Sequence, residues 1–131
     1  MPVPPEAPAV TIARAHIEAW SNHDFETARR SLAADVHVTA TTTAPIMAPV
    51  DLTGIDKYME GLIMFAQGVI PGSARIIASA GDEHNALIFV TMTAAFGPNA
   101  PKMKLPGARL YLLDESGKIK QEQVIFYAAP E

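Results

Sequence analysis

Two ionisable side chains occur in parts of the sequence that are otherwise apolar. His16 lies on the apolar side of a helical stretch, one turn before Trp20, where a protein core would favour leucine. Glu122 is the only carboxylate in the middle of the last predicted strand, and it shares a strand face with Val124 and Phe126. An imidazole can donate a hydrogen bond or carry a proton near neutral pH, and a carboxyl group among apolar side chains can act as acid or base. The two residues therefore indicate a pocket for proton transfer.

Both residues also have a plainer interpretation. A buried histidine such as His16 can simply bond to a backbone carbonyl or to a water molecule. Glu122, which follows Lys120 by two residues, can equally be solvated or lie in an interface between subunits. The sequence alone leaves these alternatives open.

We expect neither a metal nor another cofactor. The four histidines are His16, His23, His37 and His84. No two of them have the spacing that metal-ligand pairs use within one helix or one strand. The chain has no cysteine, which removes zinc–thiolate sites, disulfides and thiolate catalysis. It also lacks a dinucleotide fingerprint, a phosphate loop and a nucleophile elbow.

The helix that must position His16 can be read from the spacing of apolar side chains. Residues 9–21 carry apolar residues three and four positions apart and predict a first helix. The sequence Ser-Asn-His-Asp then ends it, because Asn22 suits a left-handed backbone position. Asp24 can accept hydrogen bonds at the beginning of a short second helix.

One further helix and five strands are predicted in the rest of the chain. The third helix covers residues 54–67, with Asp51 or Thr53 as its cap. A bulge is expected at Pro106–Gly107 within the fourth strand. Short turns make the last four strands an antiparallel meander. The strands are predicted from β-branched and alternating segments at residues 35–43, 73–80, 85–96, 102–114 and 118–128.

The order of these elements defines the expected fold class, which is α+β. Three N-terminal helices would pack on a curved, mostly antiparallel sheet to form a cone with an internal cavity. Residues 1–8 are interpreted as an extended, proline-rich arm and residues 9–131 as a single domain, which suits a chain of 131 residues. The outer face of the sheet would carry residues such as Ile77 and Ile125. We therefore expect a homodimer that covers this face.

Composition narrows the classes of partner. A net charge of -4 argues against nucleic acid, and no apolar run is long enough to cross a membrane. The first residues lack the basic region and apolar run of a signal peptide, so a cytoplasmic location is expected. Hydrophobic residues make up 49% of the chain, as in globular proteins, and a hydrophobic small molecule is the expected ligand.

Two stretches carry a resemblance to a known family. They are AWSNHDFETARRSLAADVHV near the beginning and LYLLDESGKIKQEQVIFY near the end, with Asp24, Ala34-Asp35-Val36 and Gly117-Lys118-Ile119 as the matching motifs. The chain resembles the nuclear-transport-factor-2-like superfamily, and more narrowly its SnoaL-like and ketosteroid-isomerase-like branch. The resemblance implies the cone-shaped fold described above. It leaves function open, since the fold serves isomerases, cyclases, epoxide hydrolases, dehydratases and non-catalytic modules.

The resemblance assigns three positions of this chain to the site of the steroid isomerases. Counting from the matched motifs places His16 at the hydrogen-bonding tyrosine, Ala40 at the catalytic base and Arg109 at the second aspartate. Alanine cannot accept a proton, so the isomerase mechanism of that family is not carried by this sequence. Arg109 would favour an anionic or carbonyl-bearing ligand, because a guanidinium donates hydrogen bonds in a fork.

Two other members of the superfamily offer comparisons. SnoaL-type polyketide cyclases use a lone aspartate in an apolar cage, and Glu122 resembles it in type. Limonene-type epoxide hydrolases use an Asp–Arg–Asp relay, whereas Tyr111 stands two residues after Arg109 here. This departure counts against epoxide hydrolysis.

We therefore expect a small enzyme or binder for a hydrophobic, carbonyl-containing molecule, such as a polyketide- or steroid-like compound. Its chemistry would be proton transfer, with His16, Glu122 and Arg109 as catalytic residues. A non-catalytic ligand-binding or dimerisation module and an accessory subunit of a larger complex remain as alternatives. Residues 41–49 could cover the cavity mouth. The expected ligand-binding residues are Trp20, Ala40, Tyr58, Phe89, Tyr111 and Phe126.

Overall fold

A computed structural model describes residues 6–42 and 49–127. The elements follow the predicted order, with one added strand, β2, between the first predicted strand and the third helix, where no strand was predicted. The prediction of an α+β protein with three helices is confirmed. The elements are α1 (Pro8–Ser21), α2 (Phe25–Arg30), β1 (Leu32–Thr42), β2 (Val50–Thr53), α3 (Ile55–Ala66), β3 (Arg75–Gly81), β4 (Asn85–Ala94), β5 (Met103–Leu113) and β6 (Ile119–Phe126).

The strands form one six-stranded sheet in the order β2-β1-β6-β5-β4-β3. The last four strands pair as the predicted antiparallel meander, and β1 joins it by pairing in parallel with β6. Because β2 and β3 lie at opposite edges, the sheet does not close on itself. A cone that encloses a cavity therefore stays a prediction.

Helix α1 begins at Pro8, one residue before the predicted beginning. Proline suits the first turn of a helix, because its missing N–H would have no partner there. The predicted arm, residues 1–8, thus overlaps the helix at Pro8, while residues 1–5 lie outside the described part of the chain. The apolar side of α1 is buried as the spacing predicts, with Val10, Ala13, Ile17 and Trp20 all in the core.

The turn between α1 and α2 differs from the prediction in one residue. His23, with φ 65°, takes the left-handed position that was assigned to Asn22. The Asn22 side chain instead donates to the carbonyl of Glu18 at 2.8 Å. Asp24 caps α2 as predicted, since its Oδ1 accepts from the backbone N–H of Thr27 at 3.3 Å.

The beginning of α3 also differs from the prediction. Its cap residue is Gly54, whose φ of 98° is far easier for glycine than for other residues, and no side chain bonds to the cap. Asp51 and Thr53 lie in β2 instead. The side chain of Asp51 bonds across to His37 on β1 at 2.6 Å.

The alternation along β4 and β5 separates two faces of the sheet. On β4, Ile88, Val90 and Met92 point to the helices and are buried, whereas Leu87 is 53% exposed on the outer face. The bulge predicted at Pro106–Gly107 is wrong, because the β4–β5 pairing runs through these residues without a shift. Irregularities of pairing occur elsewhere, for example between Leu112 and Leu113.

The outer face carries several apolar side chains. Ile77 is 61% exposed and Ile125 is 44% exposed, as the sequence analysis expected. Leu87 lies on the same face, beside Leu110 of β5. Among the described helices, none combines the length and the hydropathy needed to cross a membrane.

Candidate functional site

A pocket of about 120 Å³ opens between α3 and the inner face of the sheet. Its walls are mostly apolar and come from α3, β1, β2, β5 and β6. Among the described residues that line it, three have polar side chains, namely Tyr58, Arg109 and Glu122. The chemistry of the pocket therefore depends on these three.

The pairing of β1, β5 and β6 places the polar groups side by side. Glu122 of β6 lies between Val38 of β1 and Tyr111 of β5, all three on the inner face. Two residues further along β6, Val124 lies between Ala40 and Arg109 in the same way. Ala40, which the sequence resemblance assigned to the isomerase base, is thus a diagonal neighbour of Glu122 on the adjacent strand.

The Glu122 carboxylate is held from two sides. The hydroxyl of Tyr58 donates to its Oε1 at 2.7 Å, and Nη1 of Arg109 donates to its Oε2 at 3.4 Å. The side chains of Arg109 and Glu122 are each 3% exposed. The strand parity that predicted an inward Glu122 therefore holds, and the alternative of a solvated residue is wrong.

His16 lies behind Tyr58 and does not line the pocket. Its Nδ1 lies 3.1 Å from the carbonyl oxygen of Ala28, and its Nε2 lies 2.9 Å from the Tyr58 hydroxyl. Both ring nitrogens are thus engaged, and the ring is fully buried. The expectation that His16 touches the ligand is not supported, because Tyr58 stands between the imidazole and the pocket.

The carbonyl of Ala28 fixes the tautomer of His16. A carbonyl only accepts hydrogen bonds, so Nδ1 must carry a proton, and a neutral imidazole then offers a lone pair at Nε2 to Tyr58. Burial lowers the pKa of His16 and outweighs the opposing effect of the Glu122 charge. Burial, together with the same charge, raises the pKa of Tyr58 well above its ordinary value. Tyr58 is therefore a neutral hydrogen-bond donor.

Arg109 is packed between two aromatic rings. Its guanidinium carbon lies 5.0 Å from the ring centre of Trp20 and 5.4 Å from that of Phe126. Burial works to lower the pKa of Arg109, but the nearby Tyr111 and Glu122 raise it by more, so the group stays charged. Its Nε has no hydrogen-bond partner among the described residues.

Tyr111 lies beside this ion pair and is fully buried. Its hydroxyl and the indole Nε1 of Trp20 likewise have no partner within the described part of the chain. Burial, and after it the Glu122 charge, raises the pKa of Tyr111 well above its ordinary value. Arg109 and Tyr111 thus place two buried donor side chains beside the Glu122 carboxylate.

The structure divides the six residues expected to bind ligand into three groups. Ala40, Tyr58 and Phe126 line the pocket. Trp20 and Tyr111 are buried beside it without lining it. Phe89 is a correction, because it lies on the outer face of β4 and stacks on Tyr127 with ring centres 6.0 Å apart.

Strand β2 contributes to the pocket wall, although no strand was predicted there. Its residues Val50 and Leu52 line the pocket. The alternation of apolar and polar residues from Val50 to Thr53 was the available signal. Of the segment 41–49 expected over the cavity mouth, residues 43–48 lie outside the described ranges.

No cluster of three or more metal-ligating side chains occurs within residues 6–42 and 49–127. His37 and Asp51 form a pair at the other side of the sheet, away from the pocket.

Fold and pocket together define the class of protein: helices packed on one face of a six-stranded sheet, with a pocket between the two layers. The sequence of residues 13–122 matches the SnoaL-like domain, so the chain belongs to this family within the nuclear-transport-factor-2-like superfamily. The family predicted from the sequence motifs is confirmed. A search among curated proteins found no match.

Solved structures of similar fold come from several bacteria. One is described as a SnoaL-like polyketide cyclase from Jannaschia sp. CCS1, with 14% identity, 96% of this chain and 90% of that chain covered, and a TM-score of 0.74. A Catenulispora acidiphila protein with a ketosteroid isomerase-like fold, in complex with trimethylamine, has 16% identity, coverage of 86% and 82%, and a TM-score of 0.68. The Mycobacterium tuberculosis protein RV0760c, in complex with estradiol-17beta-hemisuccinate, has 12% identity, coverage of 91% and 93%, and a TM-score of 0.75. At such identities the comparison establishes the fold alone.

Proposed function

We propose that this protein binds a hydrophobic, carbonyl-containing small molecule in the pocket and transfers a proton on it. The observation that carries this proposal is the Glu122 carboxylate, which is 2% exposed and borders a mostly apolar pocket. A carboxylate in such a place is costly to bury, so a proton-transfer role gives it a reason to be there. The reaction would be an isomerisation, cyclisation or dehydration.

The proposed roles follow from the contacts. Glu122 takes a proton from the carbon next to the ligand carbonyl, and the C–H electron pair becomes the C=C bond of an enolate. Arg109, which has N–H donors beyond its contact with Glu122, is the donor available to the enolate oxygen. His16 acts only through Tyr58, as a positioning residue, since it does not reach the pocket.

The position of Glu122 supports this assignment. It lies on the strand next to Ala40, where the steroid isomerases carry their base, and it faces the same pocket. A carboxylate on the adjacent strand can therefore reach a ligand held in the same place. The small molecules bound by the Catenulispora and Mycobacterium proteins support a ligand-binding role for the same fold.

Hydrogen exchange at carbon tests the proposal directly. Small cyclic ketones and enones in D2O are followed by NMR for loss of their α-proton signals. We expect the protein to accelerate exchange, and the Glu122→Gln variant to lose the acceleration by about 100-fold or more. Glu60→Gln on the exposed side of α3 is the matched control and should exchange as wild type does. Exchange no faster than in buffer for every compound would rule out proton transfer on such carbonyl compounds.

A non-catalytic ligand-binding module is the second candidate. The observation that favours it is that both Glu122 oxygens are already engaged, one by Tyr58 and one by Arg109. Binding without exchange in the wild-type protein would select this candidate.

We also propose that a second copy of the chain covers the outer face of the sheet. The exposed Ile77, Leu87 and Ile125 give the outer face of the sheet an apolar character that suits a second copy of the chain. A groove of about 480 Å³ lies on this face, between β1, β4, β5 and β6. We further propose that the sheet curves into a cone, that residues 9–131 form a single domain and that the protein is cytoplasmic.

A further inference from the structure

The guanidinium of Arg109 has more hydrogen-bond donors than partners. Arginine carries five N–H donors, yet the only hydrogen bond that Arg109 makes within the described residues is the 3.4 Å contact with Glu122. Its Nε is buried without a partner, and the side chain borders the pocket. A guanidinium that borders a pocket and has donors left over favours an acceptor supplied by a ligand.

The Ala28 carbonyl, His16, Tyr58 and Glu122 form a line of hydrogen-bonding groups, and this line lacks one proton. The Ala28 carbonyl requires a proton on Nδ1 of His16, at 3.1 Å. The contacts of 2.9 Å from Nε2 to the Tyr58 hydroxyl and 2.7 Å from this hydroxyl to Glu122 then each need one proton. With one proton on Nδ1 of His16 and one on the Tyr58 hydroxyl, only the tyrosine proton serves these two contacts. One contact is therefore unsatisfied until the line gains a proton.

The added proton would change the charge beside the pocket. Without it, the positive Arg109 and the negative Glu122 cancel. With it, His16, Tyr58, Arg109 and Glu122 together carry one net positive charge, whichever of them holds the proton. Low-dielectric surroundings strengthen the attraction between that charge and an anion. The ionisable groups that face one another come from four elements: His16 on α1, Tyr58 on α3, Arg109 and Tyr111 on β5, and Glu122 on β6.

Resting on the proposed function, we propose that the pocket takes a small apolar carboxylate together with one proton. The carboxylate binds the free donors of Arg109, and the proton, which comes from solvent, completes the line of His16, Tyr58 and Glu122. The volume of about 120 Å³ limits the enclosed part to a branched acyl chain or a single ring. For comparison, an engineered apolar cavity of about 150 Å³ holds benzene.

Calorimetry with matched acids and amides tests this inference. The probes are benzoate with benzamide and isobutyrate with isobutyramide, so that each pair differs in charge but hardly in size. Titrations in two buffers of different ionisation enthalpy report the protons taken up on binding. We expect at least one acid to bind about tenfold or more tightly than its amide, with uptake of about one proton at about pH 8. Carboxylic acids stay ionised at this pH, so the uptake reports the protein.

Variants separate the two parts of the inference. In Glu122→Gln the amide N–H replaces the missing proton, so acid binding should persist with no proton uptake. Its affinity should then be nearly independent of pH between about pH 7 and about pH 8, whereas wild-type affinity should fall by about tenfold. Adding Arg109→Met to Glu122→Gln removes the anion site without leaving a buried carboxylate unpaired. This double variant should lose the preference for acid over amide, with circular dichroism confirming that it folds.

The other possible results of the calorimetry overturn different parts of the inference. Amides that bind as tightly as their acids would overturn the anion site while leaving the proposed function in place. Acids that bind without proton uptake would overturn the incomplete proton line. Failure of all four probes to bind would overturn this inference, and the exchange experiment with ketones would then decide separately on the proposed function.

Discussion

The Tyr58 hydroxyl lies 2.7 Å from Oε1 of Glu122, although 64 residues separate them in sequence. Tyr58 lies on α3 and Glu122 on β6, so this bond joins the helical layer to the sheet at the edge of the pocket. On its other side the same hydroxyl contacts His16 of α1. Tyr58 thus connects the buried histidine with the buried carboxylate.

Removing this hydroxyl should destabilise the protein. Tyr58→Phe leaves the Nε2 of His16 and one oxygen of Glu122 without the Tyr58 hydroxyl, and both side chains are buried. We expect the free energy of unfolding to fall by about 1–3 kcal/mol, as measured by urea denaturation. Tyr127→Phe, which removes a hydroxyl from an exposed tyrosine, is the control and should change stability by less than about 0.5 kcal/mol. Equal effects of the two variants would contradict the structural role of the Tyr58 bond.

The sequence predicted some of this site because strand parity is visible in it. Glu122 shares parity with Val124 and Phe126, and all three lie on the inner face. Strand parity did not reveal that Phe89 faces outward, because β4 carries apolar residues on both faces. Leu87 and Phe89 alternate with Ile88 and other buried residues, so the pattern gives no direction.

Contacts between distant elements were beyond the reach of the sequence pattern. Nothing in the spacing of α3 shows that Tyr58 bonds to residues 42 and 64 positions away. His16 was recognised as unusual for the correct reason, its place on an apolar helix face. Its partners, the Ala28 carbonyl and Tyr58, depend on how three helices pack, which local propensities do not encode.

Stability should depend on pH through His16. Burial lowers the pKa of this histidine in the folded state, so the unfolded chain binds the proton more readily. The unfolded pKa is about 6.5, and the stabilising contribution is therefore complete above that value and is lost as the pH falls below it. Relative to His16→Gln, the wild-type protein should lose up to about 1.4 kcal/mol per pH unit in this range.

Denaturation curves at several pH values measure this difference. His84→Gln, in an exposed turn, is the control and should keep the wild-type slope. A His16→Gln variant whose stability changes with pH as steeply as that of the wild type would refute the assignment.

Ala40 provides a test of the pocket wall. Its side chain is 7% exposed and faces the pocket, so Ala40→Asp places a second carboxylate close to Glu122 in apolar surroundings. We expect a loss of about 3 kcal/mol or more in the free energy of unfolding, because a like charge without a partner is buried. Ala34→Asp, on an exposed position of the same strand, should change stability by less than about 1 kcal/mol. If Ala40→Asp were as well tolerated as Ala34→Asp, Ala40 would have to face solvent.

The outer face of the sheet gives the last prediction, which concerns the proposed homodimer. Ile125 is 44% exposed beside the groove between β1, β4, β5 and β6, where a partner would cover it. Sedimentation velocity should show a dimer for the wild-type protein and a monomer for Ile125→Asp, since a charge buried in an apolar interface has no partner. Met64→Asp is the matched control, because Met64 is 71% exposed on α3 and should leave the dimer intact. A wild-type protein that sediments as a monomer at every concentration would contradict the dimer, whereas dissociation by Met64→Asp would move the interface from the sheet to the helices.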